Sequence, residues 1–161
     1  MVRVMFNGAF TEILLAALAA ILLFAAVVDV RTFTISNRLN LTVALLAPVY
    51  WASVALSPWP DVAVQLAVAV LVFTIFAGAF YAGMMGGGDV KLAAGLALWF
   101  SPVTTIKFLV YMSLAGGILT VAVLAWHHAK RRDGRPKIPY GVAIAFGGLA
   151  ILTQRFLNQF V

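Results

Sequence analysis

The sequence predicts an all-α, polytopic membrane protein with about six transmembrane helices. Three observations carry that expectation. Of the 161 residues, 64% are hydrophobic and only 10% charged, well outside the balance of a soluble globular domain. The mean hydropathy is +1.06. The apolar residues also fall into runs comparable to the ~20 residues that cross ~30 Å of hydrocarbon. Such runs account for nearly the whole chain, so residues 1–161 read as a single integral membrane domain with no soluble domain attached.

The first run, residues 8–28, is opened by Arg3 and Asn7 and closed by the polar stretch DVRTFTISNRLN. Its small residues resemble a signal-peptide cleavage region, but its apolar core is longer than the usual 7 to ~15 residues and further spans follow. The second run covers 39–56 and ends in SPWPD, where Pro58 and Pro60 stop a helix and Trp59 suits an interface. The third covers 62–83. Three glycines then precede a short fourth segment, 90–100, which at roughly 16 Å of helix is too short to cross alone. The break SPVTT leads to a fifth span over 106–126, the basic loop HHAKRRDGRPK follows, and the sixth span covers 138–157.

Basic residues collect in short cytoplasmic loops. Arg31, Arg38, Lys91, Lys130, Arg131, Arg132, Arg135 and Lys137 follow the odd-numbered spans, whereas Arg3, Lys107 and Arg155 fall on the other side. The asymmetry places both termini outside and the loops after spans one, three and five in the cytoplasm. The net charge of +6 then reports topology and contact with anionic membrane lipids. No soluble basic face exists to bind nucleic acid. The chain has no cysteine and two histidines, which excludes thiol chemistry and disulfides and leaves no sound metal site; no cofactor is expected.

Only five acids are present: Glu12, Asp29, Asp61, Asp89 and Asp133. Asp61 and Asp133 sit in loops, and Glu12 in the first turns of span one, where it can snorkel or favour the helix N-terminus. Asp29 and Asp89 differ, because each lies where a hydrophobic segment meets a cytoplasmic loop, at one shared depth. Two partly desolvated carboxylates in proximity hold one proton between them, the condition for general acid and base work on a peptide bond. The glycines before Asp89 permit a tight turn and close backbone approach. From spacing alone, an ordinary loop with a helix cap fits the same residues.

These residues resemble the type IV prepilin peptidases, GxGD-type intramembrane aspartic proteases. Gly86, Gly88 and Asp89 fit GxGD, and Lys91 fits the lysine that typically follows. Asp29, Ile35 and Asn37 fit the spacing of the family's first aspartate region, while Pro139, Tyr140, Gly141, Ala143 and Ile144 resemble the PYG-x-AI segment that opens the last span. The resemblance implies that Asp29 and Asp89 are the catalytic pair. It also implies that the substrate partner is a prepilin, whose short basic leader is removed at the cytoplasmic face just before its hydrophobic helix. Larger members carry a cysteine-bearing insertion between the first two spans and N-methylate the new terminus. The corresponding loop here is about ten residues and lacks cysteine, so the chain resembles the short, peptidase-only branch serving tight-adherence (Flp-type) pili in the bacterial inner membrane. Archaeal-type preflagellin peptidases share the aspartate motifs. A small ion or solute carrier is the alternative from another class, since broken helices with intramembrane acids also occur in transporters; an accessory subunit without chemistry is a third. Asn37 and Arg31 are expected to steady the first loop, Tyr140 to hydrogen-bond near the acids, Pro139 to fix the entry of the last span, and Lys91 to balance charge or meet lipid phosphate.

Overall fold

A computed structural model describes residues 2–131, 134 and 136–158, with side chains from Gly8 onward. Arg132, Asp133, Arg135 and the side chains of Arg3 and Asn7 lie outside the described residues. Six helices follow in order: α1 (Val2–Thr32), α2 (Asn37–Ser53), α3 (Ala63–Tyr81), α4 (Gly87–Ala97), α5 (Pro102–Ala129) and α6 (Tyr140–Leu157), with a kinked turn, Pro58–Val62, leading into α3. No strand occurs among the described residues.

Among the described residues, four helical stretches are long and apolar enough to cross a membrane: Gly8–Thr32, Pro58–Tyr81, Pro102–Ala129 and Tyr140–Leu157. The other two helices fall short, α2 at 17 residues and α4 at 11. The all-α expectation therefore holds with six helices, but of the roughly six expected spans only four have the length and composition to cross, among the described residues. Their outward faces are apolar, with Ile13, Phe24, Val70, Ile118, Val121 and Phe146 all exposed, as a bundle facing hydrocarbon requires.

Several boundaries differ from the sequence expectation because local capping extends the helices into polar sequence. The stretch read as a break at SPVTT is the start of α5: the Ser101 hydroxyl accepts from the Thr104 N–H at 3.4 Å and Pro102 occupies the first turn, where its missing N–H costs nothing. His127 and His128 belong to the last turn of α5 rather than to a loop. The loop after α1, expected to be about ten residues, spans only residues 33–36. Helix α1 runs through Asp29 to Thr32, and Ser36 caps α2 by accepting from Leu39 N–H at 3.3 Å.

Helix α6 packs on α1 and α5, and α4 sits among α2, α3 and α6. The i, i+3, i+4 spacing of Leu15, Leu18, Leu22 and Ala25 makes the buried stripe of α1. On α6, Gly147 meets α5 backbone directly, since a Cβ there would lie 3.0 Å from the Phe108 carbonyl oxygen. Helix α4 is the most enclosed element, with Val90, Leu92, Ala93, Leu96 and Ala97 all buried.

So short a helix ends inside the bundle, and its last carbonyls need donors that water cannot supply. The Leu98 carbonyl receives two, Trp51 Nε1 and Gln65 Nε2, each at 2.7 Å. Trp99 Nε1 in turn donates to the Val43 carbonyl at 3.0 Å. Side chains from α2 and α3 thus terminate α4 and fix its position along the bundle axis. That position decides where its N-terminal acid lies.

Candidate functional site

The site forms where the C-terminal end of α1 meets the N-terminal ends of α4 and α6. Asp29, in the last turn of α1, is 2% exposed, and Asp89, in the first turn of α4, is 8% exposed. Residues sixty positions apart in sequence are brought together, closely enough that the charge of Asp29 acts on the Asp89 carboxyl.

Asp89 is held by its own helix. Its Oδ2 accepts from the Gly86 N–H at 3.2 Å, which is the returning half of a capping box. Gly86 lacks the side chain needed for the other half. A Cβ at Gly86 would lie 2.8 Å from that same oxygen, so a side chain there would displace the carboxylate. Burial, first, and the charge of Asp29, second, push Asp89 up to about 6, while the Gly86 N–H opposes the shift.

Asp29 faces the start of α6, where the backbone N–H groups of Gly141 and Val142 act on its carboxylate. These are first-turn amides, at the partial positive charge of the helix N-terminus, and the Val142 N–H also donates to the Pro139 carbonyl at 3.1 Å. Among the described residues, the buried Asp29 Oδ2 atom has no hydrogen-bond partner. A Cβ at Gly141 would lie 2.7 Å from Ile35 Cδ1 and 2.8 Å from Asp29 Oδ2, so only glycine lets α6 approach this closely.

Ile35 joins the three segments. Besides touching the Gly141 position, its carbonyl oxygen lies 2.6 Å from where a Gly88 Cβ would be. The loop after α1 is therefore in backbone contact with the start of α4, and here the obstructing atom is main chain and cannot swing aside. Gly88 is held from a second side, since Asn40 Nδ2 donates to its carbonyl at 3.0 Å.

Asn40 is a site residue that the sequence reading missed. Its signal was available: it stands three residues after Asn37 on α2, and a buried amide with one donor committed to a glycine carbonyl fixes backbone. Asn37 itself accepts from Lys91 Nζ at 2.8 Å, an exposed link between α2 and α4. Lys91, expected to balance charge or meet lipid phosphate, commits one of its three donors to this amide and stays exposed. The expected hydrogen bond from Tyr140 is not formed among the described residues; its ring packs beside Gly116 of α5. Pro139 is the N-cap position of α6, immediately before Tyr140, and Arg31 is exposed. Beside the acids, a cavity of about 470 Å³ is lined by Met85, Gly116, Gly117 and Tyr140, among others. No cluster able to hold a metal ion occurs among the described residues.

The fold is thus an all-helical bundle, with stretches long and apolar enough to cross a membrane, that brings two buried carboxylates together at helix ends. The type IV leader peptidase family model matches residues 16–121. That range covers about two thirds of the chain and includes both acids, Asn37, Asn40 and the glycines before Asp89. The chain belongs to this family and is a peptidase that processes prepilin-type substrates. The carrier reading is set aside by that membership. Pro139, Tyr140 and Gly141 lie beyond the matched residues, so their place at the site rests on geometry. Searches of curated proteins and of solved structures found no match.

Proposed function

We propose that the chain is an aspartic endopeptidase with Asp29 and Asp89 as its catalytic pair, removing the basic leader of Flp-like prepilins at the cytoplasmic face of the bacterial inner membrane. The observation that carries the reading is the meeting of two scarce acids from α1 and α4, both buried and within electrostatic reach. Like charges so placed resist simultaneous ionisation, and below about pH 6 the pair retains one proton, on Asp89. The ionised member takes a proton from water as that water attacks the scissile carbonyl, and the protonated member donates to the carbonyl oxygen. Collapse of the tetrahedral intermediate breaks the C–N bond, returns a proton to the leaving amine, and restores the pair.

The cavity beside the acids supports docking of the substrate's apolar helix. Gly116 and Gly117 present no side chain to a helix lying along α5, and small residues allow close helix approach in lipid. The short connection at residues 33–36 and the lack of cysteine support the peptidase-only branch, without methyl transfer. The positive charge around the loops after α1, α3 and α5 supports a cytoplasmic site with both termini outside.

The test is leader cleavage by purified protein in detergent, using a prepilin that carries its basic leader. Asp29→Asn and Asp89→Asn should each abolish the gel shift while the protein remains folded. Full cleavage by either variant would remove that aspartate from the mechanism.

A further inference from the structure

At the far end of the bundle from the acids, the start of α5 and the end of α6 enclose a second cavity, of about 460 Å³. Two cations line it, Lys107 from α5 and Arg155 from α6, together with the Asn158 amide; no lining residue is acidic. Arg155 is anchored rather than free to swing, because its Nη1 donates to the Tyr50 hydroxyl and its guanidinium lies 5.6 Å from that ring's centroid. The Tyr50 ring is itself stacked on Trp99 at 5.1 Å. One of five guanidinium N–H donors is thereby used. Neither cation forms an ion pair among the described residues.

Depth makes that arrangement informative. About 21 Å of α6 separates Gly141, beside Asp29, from Arg155, and a similar length of α1 separates Asp29 from Leu15, which lines the cavity. Hydrocarbon is ~30 Å thick, so a site at the opposite membrane boundary from the acids would sit farther away. Cations at this depth call for an anion, and the lining supplies none. The helices that carry these cations also expose apolar side chains next in sequence to lining residues, Val103 and Ile106 of α5 and Leu157 of α6. A ligand with an anionic head and hydrocarbon tails satisfies both halves of the site.

We infer that this cavity binds the phosphodiester headgroup of an anionic membrane phospholipid, with Lys107 and Arg155 on the phosphate and the acyl chains along the start of α5 and the end of α6. A zwitterionic headgroup is disfavoured, because no carboxylate in the lining can receive its ammonium. Occupancy draws phosphate inward from the usual headgroup level and thins the bilayer beside the short α4.

Native mass spectrometry of the full chain in detergent, titrated with phosphatidylglycerol, phosphatidylcholine or inorganic phosphate, tests the assignment. Phosphatidylglycerol should bind at least tenfold more tightly than phosphatidylcholine. Lys107→Gln should weaken it about fivefold, and Lys107→Gln with Arg155→Gln roughly 10- to 30-fold, at about 1 kcal/mol per basic group. Lys137→Gln, the same charge change at the other end of the bundle, should leave it unchanged. Lys107 is exposed, so its single variant tests the site even if loss of Arg155 perturbs folding. Equal loss from Lys137→Gln and Lys107→Gln, or no preference between the two lipids, overturns the inference. Competition by inorganic phosphate at the lipid's own concentration overturns the lipid assignment in favour of a free anion.

Discussion

Replacing Asp89 by asparagine should stabilise the fold at neutral pH even as it removes activity. A carboxyl raised from 3.8 to about 6 in the folded protein favours folding only while it is protonated. Its contribution is complete below about 3.8 and is lost as pH climbs through about 6. Above that range the ionised group costs about 1.4 kcal/mol for each pH unit between the two values, or about 3 kcal/mol in all. Asparagine keeps an oxygen for the Gly86 N–H and carries no charge. Asp89→Asn should therefore recover most of that cost at pH 8 and almost none at pH 4, which for a chain of this length is a rise in melting temperature of about 5–10 °C at the higher pH. The assay is thermal unfolding in detergent followed by tryptophan fluorescence. A second signature follows from the contribution of Asp29 to the shift. Either Asp→Asn substitution removes the same repulsion, so the double variant should gain less than the sum of the singles. Strict additivity, or a gain identical at pH 4 and pH 8, would refute the electrostatic coupling of the two acids.

Gly141→Ala should cut leader cleavage on the order of 100-fold with the fold retained: the new methyl overlaps Asp29 Oδ2 and Ile35 Cδ1, both side-chain ends that can yield, and displacement of a reacting group by a fraction of an ångström is costly. Gly117→Ala, with open space at its Cβ, should leave the fold unchanged in the same thermal assay. Gln65→Leu combined with Trp51→Phe should lower stability by about 1–3 kcal/mol, because both removed donors serve the Leu98 carbonyl at the end of α4, and loss of its partners leaves a buried acceptor unsatisfied. Denaturant or thermal unfolding reads that loss.

Local pattern carried much of the fold and less of the site. Composition and run length gave an all-α membrane bundle, and the shortness of the fourth segment was readable directly between GGGD and SPVTT. The ends were misplaced where polar residues cap helices instead of forming loops, as at Ser101 and at residues 29–32, because a single hydroxyl or carbonyl contact decides them. Asp29 and Asp89 stood out through scarcity and position. Their cradle did not: that Asn40 would reach Gly88, or that Ile35 would wedge between Gly88 and Gly141, depends on how three distant helices seat against one another. Lys91 illustrates the same limit, since its partner Asn37 lies 54 residues away and no local spacing announces it.

The distribution of the site along the chain has a consequence for its assembly. One acid is supplied by the first helix, the other by the fourth, and the glycine that seats the first acid by the sixth. No portion lacking α6 carries the complete arrangement, so on the proposed reading leader cleavage requires α6 to be seated against α1 as well as both acids to be present.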